Sequence, residues 1–286
     1  MKCKKILTAL LAAACTMSGC HGDLDIMQDN KLSASNMWID ESDAETATYG
    51  IYLYMRDALK SVHDIYLCWG EFRNGLWGAG TNKTLSGVDQ TQVRTSTMSS
   101  SNAYADWSVM YKTVNQANLI LKHVPEMGIS ESVRNFSLGN AYFSRAWCYF
   151  WIARIWGDAP LALTGYESTA GDLYLPRAPK AEIFARIESD LTEAERYVTD
   201  NSDKAVATPA AVQMLKADYA LWMYRVAGGG SSYLTMAEKA IEALNLSASR
   251  LESDYAQVFS SANKLNKEVI FAVHQANGEA VNGPGY

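Results

Sequence analysis

Two groups of residues in this 286-residue chain have types and spacings that could do chemistry. The first is Cys20, preceded by Met17-Ser18-Gly19. Small residues just before a cysteine resemble a bacterial lipobox, in which the thiol is acylated and the cysteine becomes the new N-terminus. The second is Trp69, Arg73, Asn74, Trp77 and Asn82, inside a stretch (69–101) rich in Gly, Ser and Thr. It sets flat aromatic faces beside amide and guanidinium heads, a combination suited to stacking and hydrogen bonding. The plainer reading is that these tryptophans anchor the loop on the core, since tryptophan is highly buried on average. Asp64 and Glu71 flank Trp69 and could be imagined as the acid pair of a glycosidase. Two acids seven residues apart are commonplace, however, and the sequence has no nucleophile–base signature and no phosphate-cradling glycine motif. His21, His63, His123 and His274 are scattered, and no cysteine spacing suits a metal. No catalysis and no cofactor are expected.

Composition bounds the partners and the fold. With 48% hydrophobic residues the chain can bury one sizeable core or two modest ones, which excludes a disordered tail or a disulfide-stapled mini-scaffold. A net charge of −6 argues against nucleic acid, whose phosphates need a basic surface. Eight Trp and 16 Tyr point to aromatic packing or stacking. Met1–Lys5 is basic, and Ile6–Met17 is apolar but shorter than the roughly 20 residues of a membrane span. Residues 1–19 therefore read as a lipoprotein signal, the alternative being an ordinary signal peptide with a chance cysteine. Its removal takes away Lys2, Lys4 and Lys5 and no acid, leaving a net charge of −9. Cys68 and Cys148 remain and could form one disulfide. Buried thiols are favoured, because Cys148 sits inside an aromatic helical stretch.

The elements that must position these residues are helices. Ser42 to Glu45 reads as a capping box opening a helix to about Lys60. A second is expected from Ala103 to about Val124, and a third from the Ser130 cap to Trp156, closed by Gly157 and Pro160. That third helix is aromatic almost all round and should be the spine of the core, with Trp147 and Trp151 inside it. Further helices follow Pro179, Thr208-Pro209 (burying Trp222) and a Thr235/Glu238 capping box. Arg145 and Arg154 are expected to bond acids or carbonyls between helices, and Asp158 to fix the turn after the third. Residues 69–101 and 158–178 should be irregular, and Glu268–Val273 reads as a strand lacking a partner. The fold class is mainly α, a tetratricopeptide-like helical-repeat scaffold with long loops.

An ordered set of motifs resembles the SusD/RagB family of nutrient-binding outer-membrane lipoproteins of Bacteroidetes. Trp107-x-x-x-Tyr111 with Asn118 is similar to one family helix. Arg145-Ala146-Trp147-Cys148-Tyr149-Phe150 leading to Arg154-Ile155-Trp156-Gly157-Asp158-Ala159-Pro160-Leu161 is similar to its signature. Pro176-Arg177, Asp190-Leu191, Val206–Ala211 and Glu268–Phe271 extend the resemblance. The resemblance implies residues 20–286 as the family's N-terminal helical domain, the first half of its usual length. It implies a non-catalytic protein, lipid-anchored at Cys20 on the outer membrane and exposed at the cell surface. Its partners would be an oligosaccharide ligand and a SusC-type TonB-dependent transporter. Trp69, Arg73, Asn74, Trp77 and Asn82 would then lay aromatic faces on pyranose rings and bond their hydroxyls. The alternatives are a helical-repeat interaction subunit of the transporter complex and a peptide-binding member of the family.

Overall fold

The computed structural model describes residues 37–76, 87–169, 173–247 and 250–275, without the side chains of residues 62–64. Cys20, the signal segment, Trp77 and Asn82 lie outside the described residues. The unit from Trp38 onward is built of helices, and none among the described residues is long and apolar enough to cross a membrane.

Helix α1 runs Glu41–Trp69. Its capping box is Asp40 with Asp43, two residues before the expected Ser42 and Glu45. Each carboxylate accepts a backbone N–H from the other residue, at 3.1 and 3.3 Å, and a charged acceptor suits a helix N-terminus well. The helix also runs nine residues past Lys60. Ile51, Met55, Ala58, Ile65 and Cys68 form one buried stripe that crosses the polar His63-Asp64 interruption. Trp69 is therefore the last residue of a helix rather than a loop residue. A short helix α2, Val88–Thr95, lies within the stretch read as irregular.

Helix α3 spans Ser108–His123. It starts five residues later than expected, because residues 103–105 form a separate 3₁₀ turn and the Asp106 side chain caps the Ser108 N–H at 2.8 Å. Helix α4, Glu131–Trp156, is the expected spine, opened by Ser130 and closed by Gly157 at φ +72°. It packs most extensively on α5 (Lys180–Tyr197) and α3. Helix α6 (Pro209–Arg225) starts at its Thr208 cap. Helix α7 covers Ser231–Ala243, opening four residues before Thr235. The early start places Tyr233 in the first turn, where its ring meets Tyr219 and its hydroxyl donates to Glu188 at 2.7 Å.

The 158–178 connection is irregular but pinned. β1 (Ala159–Pro160) and β2 (Arg177–Ala178) form a two-residue antiparallel ladder. Between them, side chains hold the backbone. Tyr111 donates to the Pro160 carbonyl at 2.6 Å, Tyr149 to Ala162 at 2.7 Å, and Asn118 to Ala162 at 3.0 Å. Asn115 exchanges both its bonds with the Tyr166 backbone, imitating a strand neighbour. Asp158 accepts the Lys180 N–H at 2.8 Å, as its place after the spine helix suggested.

Buried charge ties three helices together. Arg145 forks onto Asp190 at 2.7 and 2.8 Å and donates to Asn118 at 2.7 Å. Burial pushes the Asp190 carboxyl up, opposed by Arg145 and Arg186. Residues 268–273 form no strand. Phe271 enters the core against Phe143 and Tyr52, and the segment is held by the Ala272 N–H, which donates to the Lys204 carbonyl at 2.9 Å, and by the Glu268 carboxylate, which accepts the Glu252 N–H at 2.5 Å. Cys68 and Cys148 are buried thiols not joined by a disulfide, and burial raises the Cys148 thiol far above its ordinary value.

Candidate functional site

The C-terminal ends of α1 and α4 meet beside α6 and leave a cleft of about 460 Å³. Its floor is buried: Cys68 on α1, Val93 on α2, and Tyr104 in the 3₁₀ turn. Its walls are half-buried tryptophans: Trp69 from α1, Trp151 and Trp156 from α4, and Trp222 from α6. Gly70, Arg73, Met98 and Ser99 form an exposed rim.

Ring geometry explains the cleft's shape. Trp69 meets Trp156 edge to face at 5.3 Å and 77°, and is tilted to Trp151 at 5.8 Å and 47°. Trp151 continues to Trp147 at 5.6 Å, and Trp156 to Trp107 at 6.1 Å. Such contacts lock indoles without pairing them face to face. Two of the four indole N–H groups are satisfied by the protein itself. Trp69 Nε1 donates to the Tyr104 carbonyl at 2.9 Å, and Trp156 Nε1 to Ala105 at 3.1 Å. What remains for a ligand is apolar ring surface, held in place by buried neighbours. Arg154 lies over Phe150, 4.0 Å from its ring centroid, and pairs with Asp218 at 3.3 Å. Burial pulls its guanidinium below the ordinary value.

The structure divides the residues read from sequence. Trp69 forms a wall of the cleft while its indole N–H anchors the neighbouring turn. Arg73 stands on the rim. Asn74 is outside the cleft, where it donates to Glu71 at 2.9 Å and accepts the Leu76 N–H at 2.8 Å. Trp77 and Asn82 fall outside the described residues, as does the side chain of Asp64. Glu71 is exposed, engaged with Asn74 and outside the cleft, which no described carboxylate lines. Among the described residues no group of three or more His, Cys, Asp or Glu could hold a metal ion.

Sequence reasoning assigned Trp151 and Trp222 to the core. Their helical phase does turn them inward, but the bundle ends at their level and leaves each half-buried on the cleft. Trp156, not singled out for a site, completes the wall. The usable signal was position: Trp151, Arg154 and Trp156 crowd the last turn and a half of a long helix, where a bundle stops covering its residues.

A SusD-like family model, described as "Starch-binding associating with outer membrane", matches residues 79–223, just over half of the chain. A SusD-like protein of Formosa agariphila is 26% identical over 190 residues, covering 66% of this chain and 36% of that protein. Among solved structures, B. fragilis NanU is 29% identical with a TM-score of 0.72, covering 87% of this chain and 51% of that one. A laminarin binding SusD-like protein shares the fold at 19% identity and a TM-score of 0.67, covering 82% of this chain and 51% of that one. The chain thus spans about half the length of these solved relatives and about a third of the curated one.

Proposed function

The chain belongs to the SusD/RagB family, and from that premise we propose that it captures oligosaccharides at the outer membrane and delivers them to a SusC-type TonB-dependent transporter. One observation carries the reading: four tryptophans wall a single open cleft, and hydrogen bonds from two of their indole N–H groups into the protein leave flat apolar surface to offer. The C–H face of a pyranose is the natural complement of that surface. The family's description as starch-binding and the laminarin binding relative support the ligand class.

In this reading the protein binds without breaking bonds. Recognition rests on Trp69, Trp151, Trp156 and Trp222, with Arg73 and Arg154 as the polar groups. Trp77 and Asn82, which lie outside the described residues, are proposed as further ligand contacts on their residue types alone, whereas Asn74 stands outside the cleft. Acyl chains on Cys20, after removal of residues 1–19, hold the protein to the membrane, each buried CH₂ contributing roughly 0.8 kcal/mol. The acidic segment after Cys20 serves as the spacer to the helical unit.

Isothermal titration of the protein beginning at Cys20 against a panel of neutral and charged oligosaccharides tests this. Binding of at least one saccharide, weakened about tenfold or more by Trp69→Ala, is the expected result. Uniform silence, with peptides bound instead, would reverse the ligand class. Retention of a transporter with no saccharide affinity at all would make the chain an interaction subunit.

A further inference from the structure

The cleft has a charge asymmetry that a neutral sugar leaves unused. Among the described residues, Arg73 and Arg154 are its charged lining residues and no carboxylate lines it. This occurs in a chain with 31 acids against 25 bases. The two arginines are also presented differently from ordinary surface cations. Arg154 is stacked on Phe150 at 4.0 Å, with Trp151 and Trp222 at 5.1 and 5.6 Å, so aromatic neighbours fix its guanidinium. Its contact with the exposed Asp218, which stands outside the cleft, is a single 3.3 Å bond from one nitrogen. Arg73 sits on the rim in a 3₁₀ turn whose neighbour Phe72 is buried, so its backbone is anchored while its side chain is exposed. A flat, weakly hydrated cation held against aromatic rings suits bidentate binding of a carboxylate or sulfate.

We infer that the cleft takes an oligosaccharide carrying an anionic group, a uronate carboxylate or a sulfate ester, with sugar faces on the tryptophans and the anion on Arg73 and Arg154. The inference rests on the glycan-capture reading above and narrows it.

Isothermal titration of the full chain with three length-matched oligosaccharides tests it: a neutral gluco-oligosaccharide, an oligogalacturonate and a sulfated galacto-oligosaccharide. At low salt at least one anionic ligand should bind about tenfold tighter than the neutral one, and the preference should shrink at high salt. The arm that binds separates the carboxylate from the sulfate source. Arg73→Gln should weaken the anionic ligand about fivefold or more while leaving thermal stability unchanged, because the side chain is exposed. Arg73→Lys should restore part of the loss. Equal or tighter binding of the neutral ligand overturns the inference and leaves glycan capture standing. An anionic preference untouched by both Arg73→Gln and Arg154→Gln puts the anion elsewhere and overturns it too. Absence of binding by every saccharide overturns both readings together.

Discussion

At the scale of residues, the Arg145–Asp190 pair is the most consequential structural contact. It is buried, bidentate and shared with Asn118, which in turn holds the Ala162 carbonyl. Removing one partner strands the other charge away from water, which costs about 3–5 kcal/mol. Asp190→Ala should therefore lower unfolding free energy by about that amount in urea titrations. The double change Arg145→Met with Asp190→Leu should recover part of the loss, since the one cation left behind, Arg186, is part-exposed and reaches water. The signature Arg-Ala-x-x-Tyr-Phe is thus legible in physical terms: its arginine bridges helices and its Tyr149 pins a loop carbonyl. The sequence placed Arg145 between helices and Tyr149 in the spine helix, but not their partners. Asp190 lies 45 residues away, and which acid meets Arg145 is decided by helix packing rather than by spacing.

At the scale of elements, close approach governs α4 and α5. A Cβ built on Gly139 would lie 2.7 Å from Val198 Cγ2 and 3.1 Å from the Val198 backbone nitrogen. Backbone cannot swing aside, so Gly139→Ala should destabilise by about 1–3 kcal/mol despite the better helix propensity of alanine. Gly50 in α1 is the contrast. Its added Cβ would meet the flexible Gln116 amide at an ordinary 3.6 Å. Gly50→Ala should stabilise by about 0.5–1 kcal/mol, and the opposite signs of the two changes can be read from thermal midpoints.

The pinned 158–178 connection gives an acid-dependent counterpart. Glu167 accepts from Lys122, and His123 lies at 2.8 Å; chiefly the Lys122 hydrogen bond holds its carboxyl below the ordinary value. A folded-state pKa below the unfolded one means this contribution is complete above the unfolded value. It is lost as pH falls through the folded one. Glu167→Gln should accordingly flatten the fall of thermal midpoint as pH drops below the ordinary carboxylate range, the variant and the parent converging once pH is below the folded-state value. The long 158–178 segment reads as irregular from sequence because its order is supplied by side chains of α3 and α4. Asn115 and Tyr111 show a helical period there, but nothing in that period reveals which carbonyls they meet. The end of α1 is illegible for a similar reason: polar His63-Asp64 breaks the pattern, while burial of Ile65 and Cys68 carries the helix through.

At the scale of the whole molecule, order and type of the long helices were plain from caps and periodicity, and the motif series led to the family. The cleft was only half legible. Trp69 and Arg73 were in view, whereas Trp151, Trp156, Trp222 and Arg154 became a site only because three helices end at one level. The proposed anchoring belongs to this scale as well. Cys20→Ala should shift the protein from the outer-membrane fraction to the soluble one, read by fractionation and immunoblotting, with saccharide affinity unchanged because the cleft lies wholly in the helical unit. The most direct measurement is a crystal structure of the protein bound to its tightest oligosaccharide. Sugar density against Trp69 and Trp151, with pyranose faces on the indoles, is the expected result; sugar seated elsewhere, with the tryptophan cleft vacant, would contradict the account.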